Sequence, residues 1–125
     1  MLKIKLNGEE AKVAALSDLV AMDDEVNSLS VTGNQVTVED ISALAGLSGS
    51  MKSLDLSGNL IFDVGVLVNH TDLVSLNLSG NKVFDINPLL MLTKLQDLDL
   101  RGNPIEVNQI ELLRNKLPNT TILFD

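Results

Sequence analysis

The sequence predicts an α/β solenoid, a stack of short parallel strands backed by helical turns and curved into a right-handed horseshoe segment with the sheet on its concave side. Three observations predict it. The chain repeats itself, reading SLDLSGNLIFD at 53–63 and SLNLSGNKVFD at 75–85. Each copy alternates apolar and small polar residues ahead of a Gly-Asn pair, the two-residue period of a half-buried strand. Asn59, Asn81 and Asn103 fall 22 residues apart. At such a period a unit cannot bury its apolar face alone and must stack on the next.

Along the chain, residues 1–25 match the following unit at Met1, Ile4, Leu6, Leu16, Leu19 and Met22, with Glu9 at the turn position. They read as a degenerate first unit closing the open end of the stack. Residues 26–116 hold four repeats. The first steps 25 residues, from Asn34 to Asn59, because two residues are inserted after its turn and one before the next unit. Within a unit, alternation sends Leu54 and Leu56 inward and Ser53, Asp55 and Ser57 outward. Repetition in one sense makes the strands parallel. The Asn leaves the strand where its amide meets unpaired backbone groups, so Asn34, Asn59, Asn81 and Asn103 are expected to build an internal polar ladder. On the return limb, AALSDLVAM and EDISALAGL carry the three- and four-residue spacing of one or two helical turns. Asn87-Pro88 is a helix-start pair. NQIELLRNKLP reads as a longer helix ending before Pro118. Residues 117–125, LPNTTILFD, set Leu117, Thr120 and Ile122 one 22-residue step beyond Leu95, Leu98 and Leu100 and read as a capping strand.

Composition narrows the chemistry. At 125 residues the chain makes one domain. With no Trp or Tyr and three Phe, its interior must be aliphatic. The absence of cysteine removes disulfides, thiolate nucleophiles and Cys-ligated metals. A formal charge of -8 opposes nucleic acid and anionic membrane as partners. No apolar run suits a transmembrane helix, and MLKIKLNGEE turns polar too early for a signal peptide, which weakly favours the cytoplasm.

The units resemble the leucine-rich repeat family, whose consensus is L-x-x-L-x-L-x-x-N. NLIFDVGVL and NKVFDINPL are most similar to the 22-residue subclass shared by bacterial internalin-like proteins and phosphatase-regulating repeat proteins. The resemblance implies a protein-binding module, commonly using the concave strands, with no catalytic residues and no cofactor.

Two surfaces are candidates for the partner. Outward strand residues form columns: Lys3, Ser28, Ser53, Ser75 and Asp97; Lys5, Ser30, Asp55, Asn77 and Asp99; Asn7, Thr32, Ser57, Ser79 and Arg101. Asp55, Asn77, Asp97, Asp99 and Arg101 are the residues this face offers a partner, Arg101 being its one interface-favoured anchor. Phe62 and Phe84, equivalent in adjacent units, are the second candidate. Turn geometry favours folding both rings into the gap between the limbs; the alternative is an exposed pair on the flank. Phe124 reads as a plug over the last unit.

His70 falls at the apolar position of Leu47 and Leu92, which marks it as packed rather than catalytic and makes stability sensitive to pH near 6. Asp23, Asp24 and Glu25 lack the ligand spacing of a calcium loop, and the concave carboxylates read as a solvated face, so no metal is expected. Two functions follow: a non-enzymatic module binding another protein, or a structural segment of a larger protein or self-associating unit. Lys3 and Lys5 at one end and the LPNTTILFD tail at the other favour a monomer.

Overall fold

The computed structural model describes residues 2–21, 26–33, 35–47 and 50–125. Met1, Met22, Asn34 and the run Asp23-Asp24-Glu25 lie outside the described residues. Five short strands, β3 (Ser28–Ser30), β4 (Ser53–Asp55), β5 (Ser75–Asn77), β6 (Asp97–Asp99) and β7 (Thr121–Leu123), pair in parallel. Their register aligns Leu29, Leu54, Leu76, Leu98 and Ile122, the inward row read from the alternation. Leu29, Leu54, Leu76 and Leu98 are buried, as are Val31, Leu56, Leu78 and Leu100 two residues on. Burying one such side chain is worth roughly 1.5–3 kcal/mol, so the stack is held by repetition of one apolar contact.

Residues 2–13 form a hairpin in place of the single parallel strand expected of a first repeat. Strand β1 (Leu2–Leu6) turns back into β2 (Glu9–Val13), and β1 runs antiparallel to β3, giving the sheet order β2-β1-β3-β4-β5-β6-β7. The cause is Asn7-Gly8, with φ of 51° and 85°, the positive pair that a tight two-residue hairpin turn requires. Leu6, not Ile4, therefore stands opposite Leu29. The Asn7 side-chain oxygen accepts from the Asn27 and Ser28 amides at 2.8 and 3.1 Å, tying the hairpin turn to the start of the first true repeat.

The return limb is made of short turns. It comprises α1 (Ser17–Ala21), α2 (Val38–Ile41), 3-10 turns at Ser42–Gly46, Gly65–Asn69 and Asn87–Leu89, and the longer α3 (Val107–Lys116). A 22-residue unit leaves room for only one such turn. Asp63 and Asp85 start theirs by accepting from the Gly65 and Asn87 amides at 2.8 and 3.0 Å. Each turn drives one leucine inward, and Leu44, Leu67 and Leu89 are buried. Helix α3 buries Ile110 and Leu113 and carries Arg114 and Lys116 in its last turn, where cations offset the helix dipole. Its ten residues lengthen the last step, so Ile122 pairs with Leu98 rather than with Leu100. The shift from the expected 22-residue step is two residues, which leaves Ile122 on the same face. Phe124 is partly buried against the core.

Candidate functional site

The turn that leaves each strand is a lattice of side-chain to backbone bonds between successive units. Asn81 donates to the Leu56 and Leu78 carbonyls at 2.9 and 3.0 Å and accepts from the Ile61 amide at 3.1 Å. Asn59 does the same with the Val31 and Leu56 carbonyls and the Val36 amide, and Asn103 with the Leu78 and Leu100 carbonyls and the Val83 amide. Each asparagine thus pins the backbone of the unit before it. Beside them, Gly58, Gly80 and Gly102 have φ of 71°, 68° and 73°. A Cβ on Gly102 would lie 3.2 Å from the Gly80 nitrogen, so glycine is needed there for both conformation and space.

The sheet face brings the predicted columns together from β3 to β6, whereas antiparallel β1 sets Asn7 rather than Lys3 beside Ser28, and several polar side chains of the face are already bonded. Asp55, Asn77 and Asp99 each accept from the amide two residues on, at 3.0, 3.0 and 3.1 Å to Ser57, Ser79 and Arg101. The column that reads as a partner surface in sequence is thus also a set of turn braces. Arg101, the one basic anchor, is bound by Asp99 through two side-chain bonds of 3.0 and 2.7 Å. That guanidinium holds the Asp99 carboxyl below its ordinary value. Asp97 is exposed.

The flank differs. Phe62 is 50% exposed and Phe84 55%, so the rings do not fold inward as turn geometry suggested. Ile61 and Val83 take the interior instead, both fully buried, because their own amides are fixed by Asn81 and Asn103. Alternation then forces the next side chain out. Leu60, also 44% exposed, and Val107 at 64% add apolar surface to the same sequence neighbourhood of the turns. The composition of the turns gave no signal for Leu60 and Val107. Gln109 was missed as well: from α3 it donates to the Phe84 carbonyl at 2.8 Å and accepts from the Ile86 amide at 3.0 Å, bracing the backbone beneath the second ring.

His70 is buried, with Nε2 2.9 Å from the Leu44 carbonyl oxygen. Since a carbonyl can only accept, Nε2 carries the proton. The ring ends the Gly65–Asn69 turn on the return limb, whereas the serine columns lie on the strands. Among the described residues no group of three or more His, Asp or Glu could hold a metal ion, and no helix is long and apolar enough to cross a membrane.

Parallel strands, interior asparagines and alternating helical turns define a leucine-rich repeat solenoid, and the leucine-rich repeat family profile matches residues 26–45 and 92–108. Within that class the chain resembles the internalins. The internalin InlF of Listeria monocytogenes superposes with a TM-score of 0.78 and 30% identity over 90% of this chain and 32% of its own. A leucine-rich repeat protein of Leptospira interrogans gives 0.63 and 24% over 88% of this chain and 34% of its own. A chain of the Drosophila melanogaster SNF/U2A′ complex shares the fold at 0.58 and 22%, over 90% of this chain and 83% of its own. The chain therefore spans about a third of the length of the first two. No curated protein sequence matches it.

Proposed function

We propose that this chain is a non-catalytic module that binds another protein through the flank bearing Phe62 and Phe84. The observation that carries the proposal is the exposure of two aromatic rings at equivalent positions of adjacent units, 50% and 55%, in a chain with only three Phe and no Trp or Tyr. Aromatic side chains bury large area for little conformational entropy and are enriched at the centres of interfaces. Leucine-rich repeat proteins generally mediate protein–protein interaction, which agrees with this reading. The sheet face is the weaker surface, because Asp55, Asn77 and Asp99 are tied to their own turns and Arg101 is neutralised.

Photo-crosslinking in a lysate of the source organism tests it. A crosslinker at position 62 or 84 is expected to capture one discrete partner, and excess unlabelled protein to compete it away. The unlabelled F62A/F84A double variant should not compete, whereas D99N/R101Q should. Competition lost in D99N/R101Q and kept in F62A/F84A would move the interface to the strands.

A second reading, a structural segment of a larger protein, is favoured by one observation. Ile122 on the edge strand β7, in register with buried Leu98, is only partly buried, an inward apolar side chain that a further unit could cover. Sedimentation over a concentration series separates a monomer from edge-to-edge self-association.

A further inference from the structure

A partner that covers the two exposed rings also covers charge. The residue after each ring is an aspartate, in Phe62-Asp63 and Phe84-Asp85, and all four side chains are exposed. Adjoining Cα atoms lie about 3.8 Å apart, so each ring and its carboxylate leave the chain at neighbouring points of the surface. The two pairs also lie along one another, because the Lys82 amide donates to the Ile61 carbonyl at 2.7 Å and sets the second turn beside the first. Neither aspartate can swing away without undoing a turn, since Oδ1 of Asp63 and of Asp85 accepts from the Gly65 and Asn87 amides. Among the described residues neither Oδ2 has a bond, which leaves one oxygen of each for a partner.

The charge around the rings is nearly all of one sign. Between the asparagines and their return turns, in residues 35–41, 60–64, 82–86 and 104–107, Glu39, Asp40, Asp63, Asp85 and Glu106 stand against Lys82 alone. That balance selects what can lie on the rings. A purely apolar surface would bury the two carboxylates without partners, which opposes binding. A second copy of this face would set the same carboxylates against one another, and nucleic acid or an anionic membrane would bring phosphate to them. A guanidinium meets both groups at once: its plane lies on an aromatic face while its N–H fork bonds a carboxylate. An ammonium offers only a point charge.

We propose that the phenylalanine flank receives an arginine-bearing segment of the partner protein, its guanidinium groups seated over Phe62 and Phe84 and bonded to Asp63 and Asp85. The inference rests on the flank being the interface and adds the chemistry of what the flank takes. Lys82 stands two residues before Phe84 and repels a cation there, whereas Leu60 holds the matching position before Phe62. The seat at Phe62 is therefore the stronger of the two.

The probe is a fluorescent twelve-residue peptide of alternating Arg and Gly, with Lys-Gly and Gln-Gly peptides as controls, on the whole chain. The arginine peptide is expected to bind saturably, to shift the amide resonances of Phe62, Asp63, Phe84 and Asp85, and to bind about threefold or more tighter than the lysine peptide. D63N/D85N keeps an acceptor for the Gly65 and Asn87 amides, so its circular-dichroism melt should hold while affinity for the arginine peptide falls about fivefold or more. F62A/F84A should erase the preference for arginine over lysine. D55N/D97N removes the same charge from the strands, with Asn77 already filling the position of Asp55 in the next unit, and should bind as the unaltered chain does. An equal loss in D55N/D97N, no preference for arginine, or shifts away from the flank would overturn the proposal and leave only general attraction to an acidic chain. A dimer in sedimentation that F62A/F84A dissolves would overturn it in favour of a second copy. Competition for the photo-crosslinked partner separates the two levels of the reading. F62A/F84A competing like the unaltered chain would remove the flank itself, whereas D63N/D85N competing fully while F62A/F84A does not would keep the flank and remove the arginine.

Discussion

Replacing Asn81 with alanine should cost about 3–5 kcal/mol, worked from its three shorter bonds. The side chain is 4% exposed, and Ile61, whose amide it accepts at 3.1 Å, is fully buried. Alanine leaves that amide without a partner, a loss of roughly 1–3 kcal/mol. The two carbonyls fare better, because Asn59 also donates to Leu56 at 2.9 Å and Asn103 to Leu78 at 2.8 Å. Each lost bond there is worth about 1 kcal/mol. In a domain of this size the total lowers the melting temperature by about 10–20 °C. Asn81→Asp sharpens the test. The carboxylate still accepts from Ile61 but turns an oxygen toward two carbonyl oxygens, so at neutral pH it should be worse than alanine. A carboxyl buried among acceptors titrates above its unfolded value, so N81D should regain stability relative to N81A as pH falls through that raised value, when the proton restores one donor. With no Trp or Tyr in the chain, urea unfolding is followed by far-ultraviolet circular dichroism, and hydrogen exchange at the Ile61 amide reports the bond directly. A loss below about 1 kcal/mol for N81A, or unchanged protection at Ile61, would refute the reasoning.

Three further outcomes are expected. His70→Leu should be neutral or stabilising by up to about 1 kcal/mol in the same urea assay, since it removes a buried Nδ1 with no partner among the described residues while the Leu44 carbonyl keeps its bond from the Leu47 amide at 3.1 Å. Asp99 titrates low because Arg101 binds it, so the pair's stabilisation is present above the unfolded aspartate value and is lost as pH falls through the folded one; R101Q should return the Asp99 titration toward normal in carbon-13 spectra and erase that acid-limb loss. Gly8→Ala and Gly102→Ala separate conformation from crowding: both have positive φ, 85° and 73°, but only Gly102 has a neighbour within 4 Å of the added Cβ. G8A should cost about 1–2 kcal/mol in thermal melts and G102A more.

The repeats were legible because burial follows alternation. Leu54, Leu76 and Leu98 could be placed in one row from spacing alone, and they occupy one row. The N-terminal unit was not, because a strand has the same two-residue period whichever way it runs. Ile4 and Leu6 satisfied the repeat by parity, while the hairpin turn Asn7-Gly8 between LKIKL and EEAKV was the signal that should have prevailed. The last strand slipped by two residues for a related reason: a fixed step cannot register the added length of α3. For the surfaces, sequence named Phe62 and Phe84 but pointed them inward, because their direction is set by amides that Asn81 and Asn103 hold from the following unit. The turn bonds of Asp55, Asn77 and Asp99 follow from the residue types at strand ends, a pattern the column reading passed over.

The close approach of Gly58, Gly80 and Gly102 constrains how such a chain can change its length. Successive strands stand 25, 22, 22 and 24 residues apart, from Leu29 through Leu54, Leu76 and Leu98 to Ile122. The distance from the strand leucine to the buried residue after the asparagine is nevertheless the same in Leu29–Val36, Leu54–Ile61 and Leu76–Val83. Drift is tolerated only on the limb that returns. Growth by gene duplication must then proceed in whole steps: a copy of residues 73–94 placed after Lys94 would hand Leu95 the neighbours it already has, whereas one extra codon between Leu76 and Asn81 would put every later side chain of that turn on the wrong side.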